Sequence, residues 1–490
     1  MTNQTNANAG RLFLGSCLAL IATSVAFAVI GDIMGTLKNE FVLTNAQVGM
    51  IGGAALWGFT ISMIALGPLC DALGMKRLLV FALICHLAGP LIMIFANGFG
   101  MLFAGALILA LGNGTVEAAC NPLVTTLFPD NKTVKLNQFH VWFPGGIVIG
   151  GLLCFLLSQL GNHSWQLRLV LVMIPAVIYG ILFIGQSFPA TERVQSGISF
   201  GGMCKATFLR PFFWIMFICM GITASLELGP NRWIPAILQA GGMHGILVLV
   251  WITGLMAVLR NFAGSFVHKL SPPGLLCISA VLAGLGLYWL SFAESIGMAI
   301  AAATVFALGV CFFWPTMLGV VAERIPKGGA LALAMMGGIG MLASGMIASP
   351  IIGSAADTYL KDKLPQAETT AVIEQIAATF PKLQAEAEGN LGEDLQPGID
   401  SANAVLAKIK ADPDGALPHP DTANALRAAI SSGVDDAVVG QAADILNPAD
   451  NYGGRMSFRL IAPVAIILVV VFGAMYLSDK RKGGYKAEEI

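Results

Sequence analysis

The sequence predicts an all-α membrane protein: twelve transmembrane helices in two pseudo-symmetric bundles of six, with a long extracytoplasmic insertion before the last helix. Three observations carry this expectation. Of 490 residues, 56% are hydrophobic and only 11% charged, with mean hydropathy +0.77. A soluble globule carries about 25% charged residues, so this chain lacks the means to cover a water-facing surface. The apolar segments fall six, then a polar stretch, then six. The basic residues gather in alternate connections.

A helix needs about 20 largely apolar residues to cross the hydrocarbon. Punctuation by Gly, Pro and charge places spans at 11–37, 46–69, 78–97, 99–127, 137–160 and 167–188. A polar linker follows at 189–210, with Glu192, Arg193, Lys205 and Arg210. Six more spans are expected at 211–238, 246–268, 274–292, 296–320, 329–355 and 456–478. The domains are thus an N-terminal bundle (1–188), a cytoplasmic linker (189–210), helices seven to eleven (211–355), an insertion (356–455), and the last helix with its tail (456–490). Six, a linker and six is the arithmetic of a duplicated transporter.

Lys76, Arg77, Lys132, Lys135, Arg193, Lys205, Lys269, Arg324, Lys327 and the cluster from Lys480 to Lys482 all fall on one side of this topology. The short loops near 98, 163, 242 and 294 carry almost no Lys or Arg. The positive-inside rule then puts both termini in the cytoplasm, and the expected location is the plasma (bacterial inner) membrane. The segment 356–455 falls outside. It holds sixteen of the 28 acidic residues against seven basic ones and is broken by prolines. Alanine-rich helical spacing over 370–380 and 421–430 suits a small helical cap or a mobile insertion; an entrance lid or a partner-docking surface is the functional alternative.

The nine cysteines lie almost wholly in apolar stretches, without CxxC or Cys/His spacing. Neither a disulfide framework nor a metal site is expected. The apolar run after Arg11 lacks a small-residue cleavage site and reads as a retained first span. With 27 basic against 28 acidic residues, no basic excess exists for nucleic acid. No nucleophile–base pair or phosphate loop is evident, so an enzyme is not expected.

Ionisable groups within spans are costly and mark pathways or coupling sites. Glu117, midway along the fourth span, has no basic residue in the same span. A carboxyl group at that depth is expected to exchange protons, and Pro122 frees a carbonyl one turn earlier. Asp32 lies 35 residues before Gly67, and Glu227 lies 37 before Gly264, so the first and seventh spans carry carboxylates at matching places. Both halves are therefore expected to aim groups at one central cavity. Around Glu227 the seventh span reads TASLELGPNRW, and Gly229-Pro230 predicts a helix break between Glu227 and Asn231. A carboxylate, the Asn231 amide and the Trp233 indole suit a polyol. Arg232 either neutralises Glu227 or clamps an anionic substrate. Trp314, and less centrally Trp142 and Trp251, are candidates to line the cavity.

Between the second and third spans stand Gly67, Asp71, Gly74, Lys76 and Arg77. This order resembles the cytoplasmic signature of the major facilitator superfamily and implies a gating role for Asp71. A further resemblance lies in Glu117-Ala-Ala-Cys-Asn121-Pro122, in Leu136-Asn137, and in Gly31-Asp32-Ile33 followed by Leu43-Thr44-Asn45-Ala-Gln47-Val-Gly49. Together these are similar to the fucose:proton symporter family, over roughly 11–355 and 456–478. The resemblance implies alternating access and proton-driven uptake of a sugar. It implies protonation and substrate recognition at Asp32 and Glu117, and it brings Asn121 and Asn137 to the substrate. His140 stands where the family has a glutamine, and it could pair with Glu117. The insertion is likewise a departure.

The expected function is proton-coupled uptake of a sugar or related polyhydroxylated solute. No cofactor beyond the coupling proton, no nucleic acid and no metal is expected; the lipid bilayer and a small molecule are the partners, and a monomer is the expected state. An efflux carrier or uniporter on the same fold is the alternative. A membrane sensor or anchor acting through 356–455 is the reading from a different class.

Overall fold

The computed structural model describes residues 8–41, 43, 45–162, 164–386, 391–413 and 416–489. Thr44, and 387–390 and 414–415 of the insertion, lie outside them. Among the described residues there is no strand, because apolar segments in lipid must satisfy their backbone groups internally. Among the described residues, eleven helices are long and apolar enough to cross a membrane. The eighth span, Gly245–Asn261, reaches that length only together with Ala263–Leu270 across a 65° bend.

Spans one to four are Ala9–Glu40, Asn45–Leu66, Met75–Ile94 and Phe99–Leu127. The first starts cleanly because the Asn8 side chain caps Arg11 N–H at 3.0 Å. The fifth begins earlier than 137. It runs Lys132–His140, turns at Val141 and resumes as Trp142–Gln159. Pro144 causes the interruption, having no N–H to give to the His140 carbonyl. The sixth is Trp165–Phe183, capped by Ser164.

In the second bundle the expected break at Gly229-Pro230 is absent. Pro211–Ala240 is one continuous helix through Pro230 and Pro235. A proline removes one ladder hydrogen bond, and dense packing around Glu227, Gly229 and Pro230, all buried, holds the remaining turns. The break falls instead in the tenth span, Ile296–Val310 then Phe313–Arg324, where Pro315 cannot bond Cys311. The ninth is Pro272–Leu290. The eleventh runs Gly329–Ala343, widens to a π-turn over Ser344–Ala348 and ends as Ser349–Leu360. The twelfth starts far before 456: Ala437–Ile461 leads through Ala462–Val464 into Ala465–Arg481.

The insertion is folded. Helices Gln366–Glu386, Leu391–Ala411 and His419–Ser431 close over the start of Ala437–Ile461 around their own core, including Ile373, Ile376, Phe380, Leu395, Val405 and Leu426. Its docking is to the second bundle. Asn451 donates to the Ile237 carbonyl at 2.7 Å, and Arg455 reaches the Ala293 carbonyl at 3.1 Å and Glu294 at 3.5 Å. Arg427 pairs with Asp357 at 2.9 Å and Asp450 at 2.6 Å. The insertion therefore stands on the face opposite both termini.

Candidate functional site

At the face that carries the termini, the two bundles are locked together. Gly67 of the second span lies so close to Ala334 of the eleventh that a Cβ would overlap it. Gly74 takes a positive φ of 84°, which lets the chain turn from the short helix Cys70–Leu73 into the third span. Asp71 accepts from Arg193 at 2.6 Å and from the Thr191 hydroxyl. Its partners thus belong to the linker between the bundles. Lys76 donates to the Gln186 carbonyl at 3.1 Å, while Arg77 is exposed. Lys132 pairs with Glu192 at 2.6 Å. Glu323 of the tenth span accepts from the Thr133 N–H and hydroxyl of the fifth, at 3.0 and 2.7 Å, and from the Tyr485 hydroxyl of the tail at 2.6 Å. At the opposite face a cavity of about 600 Å³ opens between the seventh and eleventh spans, lined by Trp233, Ser349, Ser354, Asp357 and Thr358 among others.

Between these levels lies a buried polar cluster. Glu117 is 2% exposed and accepts from the Asn121 amide, one turn on, at 3.1 Å. Asn121 Oδ1 meets His140 Nε2 at 3.1 Å, and His140 Nδ1 lies 4.0 Å from Glu117. The fourth and fifth spans therefore bring Glu117, Asn121 and His140 into one closed group. Asn137, one turn before His140, donates to the Thr133 carbonyl at 2.9 Å and to Thr316 of the other bundle at 3.2 Å. Trp314 is buried across the interface, with its indole within reach of Glu117.

Glu227 is also buried, and its partner is an arginine outside its own span. Arg260 of the eighth span, 2% exposed, donates Nη2 to Glu227 at 3.0 Å, Nη1 to the His140 carbonyl at 3.0 Å and Nε to the Cys311 carbonyl at 2.6 Å. Those two carbonyls are the ones Pro144 and Pro315 leave unbonded, each four residues upstream of its proline. Arg232 does not neutralise Glu227: it is exposed and has no hydrogen bond or ion pair among the described residues. A signal for Arg260 existed in the sequence. It is an arginine well inside the expected 246–268 span, where a charge calls for a partner.

Asp32 is not brought to this cluster. Its carboxylate, 37% exposed, pairs with Arg168 of the sixth span, whose Nη2 also reaches Ser158 at 2.8 Å. The matched spacing of Asp32 and Glu227 thus does not give matched surroundings. Trp233 lines the cavity on the far side, Trp251 is half-exposed and bonds Thr304 at 2.8 Å, and Trp142 is likewise partly exposed.

Helices interrupted in the fifth, eighth and tenth spans, a duplicated six-span plan and acids facing across the bundle interface point to one architecture. A family model of the Major Facilitator Superfamily matches residues 12–360. The chain belongs to this superfamily. A fucose:proton symporter of Escherichia coli has the same fold, with TM-score 0.60 over 71% of this chain and 92% of the symporter at 18% identity. A proton:xylose symporter gives TM-score 0.60 over 72% and 90% at 14% identity. At such identities the likeness is one of fold alone.

Three of the sequence relatives are transporters of other chemistry. A 2-nitroimidazole transporter of Escherichia coli (strain K12) is 23% identical over 49% of this chain and 63% of its own. A cis,cis-muconate transport protein of Acinetobacter baylyi is 24% identical over 46% and 58%. A gentisate transporter of Corynebacterium glutamicum is 22% identical over 44% and 50%. The chain thus spans less than two thirds of the length of each. It is an integral membrane protein of a superfamily of transporters that bind small molecules within the membrane.

Proposed function

We propose that this protein is a secondary transporter that takes up a small polyhydroxylated solute together with a proton, by alternating access. The observation that carries the reading is a set of buried polar atoms without partners among the described residues: Asn137 Oδ1, Glu227 Oε2 and Asn231 Oδ1. Buried polar groups are ordinarily satisfied, so three orphan acceptors drawn from both bundles favour a ligand rich in hydroxyls. A hydroxyl can donate to each of the three. Trp314 also offers an aromatic face to C–H groups.

Glu117 and His140 are the proton-carrying pair in this reading. A carboxylate alone at that depth is costly, so the bundles rock most readily with the pair loaded and the solute bound. The sealed terminal face, read as cytoplasmic, and the cavity on the other side fit the stage that awaits solute from outside. The insertion is then extracytoplasmic. The orphan atoms disfavour the sensor reading, since an anchor has no use for unsatisfied polar groups buried between two bundles.

One observation favours a second substrate class. Arg232 is exposed and unpaired, one residue from the cavity-lining Trp233, and the relatives include transporters of muconate and gentisate. An anionic solute would use it. The test is uptake into vesicles, with and without an imposed pH gradient, of a labelled panel of sugars and small carboxylates. Glu117→Gln should abolish gradient-driven accumulation and keep exchange. Accumulation that survives this substitution and ignores protonophores would refute proton coupling. Arg232→Gln should leave sugar uptake intact; selective loss of carboxylate uptake would establish the second class.

A further inference from the structure

The fifth and eighth spans run against each other across the bundle interface. Val134 packs on Gly264 and Ala257 lies over Gly145, with Arg260 and His140 between these two contacts. All three nitrogens of the Arg260 guanidinium are engaged in different directions, by Glu227, the His140 carbonyl and the Cys311 carbonyl. Two of these bonds stay within the second bundle. Only the bond from Nη1 to His140 crosses to the first, so it is the one that rocking must break. The other ionisable side chains around the guanidinium are Glu117 on the fourth span, His140 itself on the fifth and the Cys311 thiol on the tenth.

A planar fork is oriented by the carboxylate it binds, which a point-charge ammonium would not be. Glu227 keeps its second oxygen free for another partner. We propose that Arg260 is a positioning residue for transport. Glu227 aims its guanidinium so that it clasps the fifth span to the second bundle, and engagement of Glu227 by solute loosens the clasp. This deepens the alternating-access reading and rests on it. The coupling requires no new contact, only that one carboxylate be shared between the clasp and the ligand, so that occupancy and rocking oppose or assist each other.

The test uses a cysteine pair, Val134→Cys with Gly264→Cys, whose oxidative cross-linking in vesicles without solute reports the closed fifth–eighth contact. Added to that parent, Glu227→Gln and Arg260→Lys should each slow cross-linking about tenfold, and their combination should be no slower than either alone. Arg260→Lys keeps the positive charge, so Glu227 is not left as a lone buried anion. If Arg260→Lys slows the reaction while Glu227→Gln matches the parent, the arginine merely caps two proline-freed carbonyls and the proposal is overturned. Multiplying effects in the double variant overturn it too, since the residues would then act independently. The readout needs neither a proton gradient nor a known solute. A chain that responds as expected here but never accumulates solute refutes proton-coupled uptake and leaves the clasp standing.

Discussion

Asn121 serves two partners at once, giving its amide hydrogens to Glu117 and presenting its oxygen to His140. Hydrogen bonds to charged groups contribute about 1.5–3 kcal/mol, so Asn121→Ala should cut initial rates of gradient-driven uptake about tenfold or more without unfolding the protein. Initial rates at matched expression check this. Asp32 separates from that group by its pairing with Arg168. Asp32→Asn should lower the thermal stability of the purified protein, because Arg168 is then a buried cation without its carboxylate, yet retain proton-driven accumulation. Loss of accumulation equal to that of Glu117→Gln would instead make Asp32 part of the coupling group. The residue types alone do not separate these two acids; what each one touches does.

Prolines decide the behaviour of three spans, and in different ways. In the seventh, Pro230 and Pro235 leave the helix continuous, so Glu227 and Asn231 stay one turn apart on a single helix. In the fifth and tenth, Pro144 and Pro315 coincide with breaks, and the freed carbonyls both turn to Arg260. Restoring an N–H at either place would let the helix reclaim its own carbonyl. Pro315→Ala should therefore straighten the tenth span, weaken the hold on Arg260 and slow transport, while thermal stability is kept or raised. A melting curve beside an uptake assay distinguishes this from simple damage, which would lower both. The π-turn at Ser344–Ala348 lies in the wall of the far-side cavity, where widened turns often accompany function.

At the scale of the whole molecule, both faces are asymmetric. The terminal face is closed by contacts between bundles, the linker and the tail, with Glu323 receiving hydrogen bonds from the fifth span and from Tyr485 together. Glu323→Ala removes both. It should open that face and raise the accessibility of a cysteine placed at Thr126, which lines the small void behind it. Unchanged labelling would mean that packing such as Gly67 on Ala334 holds the face closed unaided. On the other face, the insertion is docked to the second bundle through Asn451, Arg455 and Arg427. It should therefore move with that bundle as one body.

Much of the architecture was legible in the chain because lipid imposes a simple rule: a span must be apolar, long enough and internally hydrogen-bonded. Length, hydropathy and the six-and-six spacing determine the helical class, the duplicated plan and the depth of Glu117, and they mark Glu117, His140 and Glu227 as groups to explain. Partners were not legible. Arg260, Arg168 and Arg193 reach their carboxylates from separate helices, and no spacing along one chain encodes which helices become neighbours. The same holds for the prolines. The sequence says that each removes a donor, but whether a helix breaks depends on what surrounds the freed carbonyl, and only packing in three dimensions supplies an arginine to receive two of them.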